Sequence, residues 1–471
     1  MSTFLGTAKS LIFELYLLSV VFGGGYLAAA VCPACSQGSV AMPTPGAVAT
    51  GAVTAASTED LTSPPGLEGT VEQWQAYVHA LDSNVVLKVD REFKTDAFEQ
   101  ARDGSTARLP AVLKLQQTVQ EDPLACFEQR IQVATLMLQE NKLSKLHINL
   151  GDDLRLPDSE SDGTHASLAK TLGNFAQALT AADSLLEVRL QEVVMPTSLW
   201  KLFFQSWKLH ENSNLMRFEL EDCGLDGWSP TVITTLFGNT LAGGAKLEVV
   251  NIHQDLEQDW IEDEKEEGGL AAATTAMIRF LTSDQRAHLR IFRTSKVEWF
   301  SPVEFARLLV GISNIEAELS STLKYLNLNK AVRNSGSFPK GEISDALRMA
   351  CETFGRSTRL PKLESLHLTE NELPETTTMA LLDAIASDKG KRFSLKNLSL
   401  YGNEAASDET LEAYLREIST LRHVCPFDEF ETRSRGRQPM DPRDPDSKIT
   451  YVLPHVMEDE DPIDPASDDD E

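Results

Sequence analysis

Residues 363–373 read LESLHLTENEL, and residues 395–403 read LKNLSLYGN. Both place leucine at the first, fourth and sixth positions and asparagine at the ninth. A helix repeats its apolar residues at three- and four-residue steps over several turns, and a strand alternates without a break. Here a short alternation stops at a polar residue, where the chain has to turn. The fourth and sixth side chains share one face of a short strand, and the first enters the same core from the preceding loop. The amide at the ninth position satisfies backbone groups inside the turn, where an unpaired amide or carbonyl is costly.

Further copies surround these two. Leu215-Phe218-Leu220 precedes Cys223 and Leu225, Leu247-Val250-Ile252 precedes Asp255, and Leu323-Leu326-Leu328 precedes Ala331. Weaker copies sit at Leu143-Leu146-Ile148, Leu185-Val188-Leu190 and around Leu289-Phe292. Helical periodicity fills the gaps at 168–181, 229–241, 301–312, 341–354, 374–387 and 407–420, several of these opening on Ser-Pro or Ser-Asp. No such unit buries its apolar face alone, so neighbours must stack. The pattern resembles that of leucine-rich-repeat proteins, and "LEDCGL" at 220–225 is similar to the ribonuclease-inhibitor-like class. That resemblance covers roughly residues 140–425 and implies an α/β solenoid with parallel strands on the concave side and helices on the convex side.

The rest of the chain divides around this array. Residues 1–35 contain an apolar stretch, 11–31, preceded by Lys9 and interrupted by Glu14 and Gly23–Gly25. It reads as a secretory-type signal or a membrane anchor. The chain is then expected in the secretory pathway or on a membrane, and otherwise in the cytoplasm. Residues 36–70 form a flexible Ala/Gly/Thr/Pro/Ser-rich linker. Residues 71–140 are expected to be an N-terminal helical cap, with helices near 111–120 and 124–140, because an end rung exposes core that must be covered. The repeat domain spans 141–425, with an acidic loop insertion at 254–269. Residues 426–471 form an acidic tail, expected to be disordered, in which Ser467 precedes three aspartates and suits an acid-directed kinase.

Composition narrows the chemistry. Hydrophobic residues make up 42% of the 471 and charged residues 24%, as in an ordinary soluble protein with a sizeable core. A net charge of −28 disfavours nucleic acid and anionic membrane surfaces as partners, and suits a basic protein partner. Of six cysteines, Cys223 and Cys351 fall in apolar patterns and read as small buried hydrophobes. Cys32 and Cys35 form an isolated CxxC without the second pair that a structural zinc site shows. There is no phosphate-binding loop, HExxH or GxSxG, so no cofactor or metal is expected, and the chain reads as a non-catalytic protein-binding module or scaffold.

Its expected contact surface is the inner strand face, where the side chains between the apolar positions emerge. Stacking would align Glu219, Asn251, Asn327, His367 and Ser399 in one row, with Glu221, His253, Asn329, Thr369 and Tyr401 alongside and Tyr325 as a further aromatic anchor. Repeats followed by an acidic carboxyl-terminal segment are also similar in architecture to the Ran GTPase-activating proteins, which implies a regulator of a small GTPase as an alternative. Recognition at the cell surface is the third reading, favoured by residues 11–31, although Asn397-Leu-Ser399 is the sole glycosylation sequon.

Overall fold

The computed structural model describes residues 70–81, 85–90, 112–116, 123–150, 163–254, 269–283, 286–313, 322–333, 342–357, 360–387, 395–403, 423–425 and 450–451. All belong to the compact unit Asp60–Glu471. The apolar stretch 11–31, the Cys32–Cys35 pair, most of the 254–269 insertion and the 407–420 helix lie outside the described residues.

Each of the eight copies of the pattern contributes one strand, and four further strands flank these. The strands are β1 (Val85–Asp90), β2 (Val112–Gln116), β3 (Leu143–Asn149), β4 (Glu187–Gln191), β5 (Arg217–Glu221) and β6 (Val249–His253). After them come β7 (Ile291–Ser295), β8 (Tyr325–Asn327), β9 (Ser365–His367), β10 (Asn397–Ser399), β11 (His423–Cys425) and β12 (Thr450–Tyr451). They form one 12-stranded sheet that runs in chain order from β3 to β12, with β1 between β3 and the edge strand β2. Every pairing is parallel. The weak copies at 143, 185 and 289 are therefore rungs of the same kind as the strong ones.

Helices return the chain between parallel strands. They are α1 (Val71–Ala80), α2 (Pro123–Gln139), α3 (Gly163–Ala181), α4 (Thr197–Ser206) and α5 (Pro230–Thr235). The series continues with α6 (Leu270–Leu281), α7 (Pro302–Ser313), α8 (Glu342–Gly355) and α9 (Glu375–Ser387). Crossovers between neighbouring parallel strands are right-handed as a rule, which puts the helices on one side of the sheet, and successive helices pack side by side. Among the described residues, the opposite side carries no helix. This is the arrangement of a leucine-rich-repeat solenoid.

Two expectations change. The segment 111–120, read as helical, contains strand β2, and β1 precedes it, so residues 71–140 extend the sheet as well as the helix layer. Within VLKLQ the apolar residues alternate with polar ones, a strand period that also fits a short piece of helix. Thr450–Tyr451, inside the segment expected to be disordered, pairs in parallel with β11. Ile449, Thr450, Tyr451 and Val452 form a β-prone island in that acidic tail. Helices α4 and α6 are additional to those expected, and a π-helical turn at 236–240 continues α5.

Backbone bonding between rungs continues past the strands on both sides. On the entry side, the second residue of each pattern donates to the second residue of the rung before. Glu248 N–H bonds Met216 O at 2.8 Å, Arg290 bonds Glu248 at 2.8 Å, Lys324 bonds Arg290 at 2.8 Å and Glu364 bonds Lys324 at 2.7 Å. On the exit side, the eighth residue donates to the seventh carbonyl of the rung after. Asp222 bonds His253 at 2.9 Å, Gln254 bonds Ser295 at 3.1 Å, Lys296 bonds Asn329 at 2.7 Å and Glu370 bonds Tyr401 at 2.6 Å. The eighth residue commonly has positive φ, as at Glu192, Asp222, Lys296, Lys330, Glu370 and Gly402. That left-handed turn costs a non-glycine residue on the order of 1 kcal/mol, and the bond it aims sideways offsets the cost.

The ninth residue does what the sequence requires of it. Asn371 is 1% exposed. Its Oδ1 accepts from Ala331 N–H at 2.9 Å and Val332 N–H at 3.1 Å, while its Nδ2 donates to Leu328 O at 2.8 Å and Leu368 O at 3.0 Å. Asn403 repeats the device, accepting from Leu373 N–H and donating to Leu368 O and Leu400 O. Cys223 substitutes a thiol, which reaches Leu190 O at 3.4 Å and Glu221 O at 3.2 Å.

Behind the strands the first, fourth and sixth residues form one continuous core from Leu143 to Leu400. Its middle rungs are aromatic, with Trp228 and Trp299 stacked at 5.9 Å and Trp299 Nε1 donating to Leu225 O. Arg286 is fully buried because its guanidinium caps the carbonyls that end the 236–240 turn: Leu241 O at 2.7 Å, Ala242 O at 2.5 Å and Gly244 O. Burial brings its pKa down to about 10, still charged at neutral pH.

Asn371→Ala would strand three buried backbone groups, Ala331 N–H, Val332 N–H and Leu328 O, each costing about 1–3 kcal/mol when unmet, while Leu368 O keeps its bond from Asn403. Urea unfolding should show a loss of at least about 3 kcal/mol. Gly402→Ala should cost a smaller amount, about 1–2 kcal/mol, because φ is +71° and a Cβ would lie 3.0 Å from Glu370 Cα.

Candidate functional site

The helix-free face is built from the third, fifth and seventh residues of each rung. Its central row follows the strand register: Arg189 faces Glu219, Glu219 faces Asn251, Asn251 faces Arg293, Arg293 faces Asn327, Asn327 faces His367, and His367 faces Ser399. In the next row Glu221 faces His253 and His253 faces Ser295. The first expected row is therefore found, with Arg293 between Asn251 and Asn327. The second is found as far as Glu221 and His253, since Asn329, Thr369 and Tyr401 lie beyond the ends of β8, β9 and β10. Arg293 and Ser295 were missed because the sixth residue of their rung is Thr294, which hides the pattern; counting from Leu289 and Phe292 recovers them.

Exposure differs from expectation. Glu221, Asn251, Tyr325 and Tyr401 are half-buried, whereas Glu219, His253, Asn327, Asn329, His367, Thr369 and Ser399 are buried. Strands about 4.8 Å apart let neighbouring side chains cover one another. The Tyr325 ring lies 4.9 Å from the His367 ring, and Asn327 Nδ2 donates to Tyr325 Oη at 3.2 Å. Asn327 Oδ1 accepts from Asn329 N–H at 3.0 Å, and Asn329 Oδ1 accepts from Thr369 N–H at 2.8 Å. These buried residues hold rungs together, and the half-buried ones form the accessible part.

Over β3 to β5 the face is a lattice of paired charges. Glu187 meets Lys145 at 3.0 Å and His147 at 2.7 Å; Arg189 meets Glu221 at 2.5 Å and Glu219 at 3.7 Å; Arg217 meets Glu219 at 2.7 Å. Burial alone would raise the Glu187 carboxyl, but hydrogen bonds from His147 and Lys145, with their charges, outweigh it and bring it down to about 2. Along the margin, Leu186 and Met216 occupy adjacent second positions, each 38% exposed. Further on, Glu364 lies between Lys324 and Lys396.

Over β6 to β9 the chemistry changes. Arg293 Nε donates to Ser295 Oγ at 2.8 Å and Nη2 lies 2.9 Å from His253 Nδ1, which in turn is 2.6 Å from Ser295 Oγ. Burial, with Arg293 nearby as a second cause, pushes the His367 imidazole down to about 3, so it is neutral at physiological pH. Among the described residues, no group of three or more His, Cys, Asp and Glu is placed to hold a metal ion, and no helix is long and apolar enough to cross a membrane.

No family model matches the chain, and no curated protein does. Among solved structures, one described as the Rad7 and Elc1 complex in yeast has a chain similar over 70% of this one and 79% of its own length, at 11% identity and a TM-score of 0.31. At that level the likeness carries no argument, and the fold rests on the strand register above.

His367 supplies a pH dependence whose sign follows from its depressed pKa. The unfolded chain binds a proton near pH 6.5 and the folded chain only near 3, so stability should fall as pH drops below about 6.5. By pH 5 the loss should reach about 2 kcal/mol. Thermal melts between pH 7.5 and 5 should show this slope in the natural protein and a flatter one in His367→Gln.

Proposed function

We propose that the helix-free face is a protein-binding surface and that the chain works as a non-catalytic interaction module or scaffold. The observation that carries this reading is the unbroken register, which gathers one residue from each successive rung into a single array. Tyr325 and Tyr401 give that array partly exposed aromatic groups, the residue type most often found at binding hot spots. Leu186 and Met216 add exposed apolar area beside the charge lattice. Long units with a full helix each are in keeping with the ribonuclease-inhibitor-like class.

The non-catalytic part of the proposal draws on the same groups. Burial pushes the thiols of Cys223 and Cys351 up to about 12, which leaves neither as a thiolate nucleophile at neutral pH. His367, with its pKa near 3, is too weak a base for general acid–base work there.

The test is capture of partners by the full chain, quantified by mass spectrometry and repeated with each purified partner. Replacing Tyr325 and Tyr401 together by alanine should weaken binding at least tenfold. Val303→Ala, on the exposed side of α7, should leave it unchanged. Equal binding by both variants, with circular dichroism showing both folded, would remove this face as the binding surface.

A further inference from the structure

Arg293 sits at the centre of the helix-free face and is only 9% exposed. Lys145, Arg189 and Arg217, on β3 to β5, all pair with carboxylates. Among the described residues, no carboxylate pairs with Arg293. Its neighbours across the sheet are the amides Asn251 and Asn327, and its hydrogen bonds go to Ser295 and His253. A guanidinium taken out of water without a counter-charge is expensive, and buried charges are ordinarily paired.

The surroundings hold unused donors. On β9, whose His367 faces Asn327 in the same row, His367 Nδ1 is buried without a hydrogen-bond partner, as is Thr369 Oγ1 in the turn after that strand. A neutral imidazole protonated at Nδ1 and a hydroxyl both donate to an anion. We propose that this cluster is a specificity pocket for one carboxylate, an aspartate or glutamate side chain of a protein partner lying along the helix-free face. The inference rests on the reading of that face as a protein-binding surface. A single fixed positive charge among neutral donors matches a single carboxylate, whereas doubly charged phosphoryl groups are met by clusters of arginine. The chain's net charge of −28 repels a strongly acidic partner at long range. The recognised acid is therefore an isolated one in an otherwise neutral or basic segment.

The probe is a phage-displayed library of random dodecapeptides selected on the full chain, with recovered peptides resynthesised and measured by fluorescence polarisation. Recovered peptides should share one acidic position. Arg293→Gln should weaken them at least tenfold, changing that acid to its amide should weaken them equally, and the two losses should not add. Arg293→Gln should also melt no lower than the natural protein, since it removes a buried charge that lacks a counter-charge. Peptides without a shared acid, binding indifferent to Arg293→Gln, or a melting point lowered by several degrees would each overturn the pocket. Peptides lost on Tyr325→Ala with Tyr401→Ala yet indifferent to Arg293→Gln would keep the face as a binding surface and discard the carboxylate. Failure to recover any peptide would count against both.

Discussion

No rung of this protein closes its own core. A strand of two to seven residues with a helix layer behind it exposes apolar side chains on both flanks, and only the next rung covers them. The contact that makes this stacking regular is the parallel ladder of backbone hydrogen bonds, which begins one residue before the strands and runs on through the turn after them. The left-handed eighth residue and the amide at the ninth follow from that demand. One turns the chain so that its N–H reaches sideways, and the other meets the groups left inside the bend.

Regular stacking has a second consequence on the other side of the sheet. Because each strand carries its neighbour in strict register, side chains from distant parts of the sequence are brought about 4.8 Å apart. That spacing is short enough for them to bond and cover one another, so a row that looks open in one dimension becomes partly closed in two. The charge lattice at one end and the Tyr325–His367 contact near the other both arise in this way. The face thus has a fixed part that joins rungs and an accessible part that a partner can meet.

Arg293 does not fit the fixed part. Its rung departs from the leucine pattern at Thr294, and among the described residues its charge has no carboxylate partner of the kind that Arg189 and Arg217 have. A solenoid core consumes the apolar face of each strand and leaves the other face free to vary, so a costly residue there marks a place where the sequence answers to something besides stability.

The one-dimensional pattern determined the repeat, the strand positions from Leu215 to Leu400, the inward leucines and the task of Asn371 and Asn403, since all of these depend on residues close together in the chain. It also established which residues would align, because equal counting from each leucine is equivalent to register. What it could not reach was decided between rungs. Whether VLKLQ is helix or strand depends on β1 beside it, and whether His367 is exposed depends on Tyr325 from another unit. That Arg189 meets two glutamates while Arg293 faces two asparagines depends on which side chains the adjacent strands carry. Burial and charge compensation are properties of neighbours across the sheet, and those neighbours are some 30 to 40 residues away along the chain.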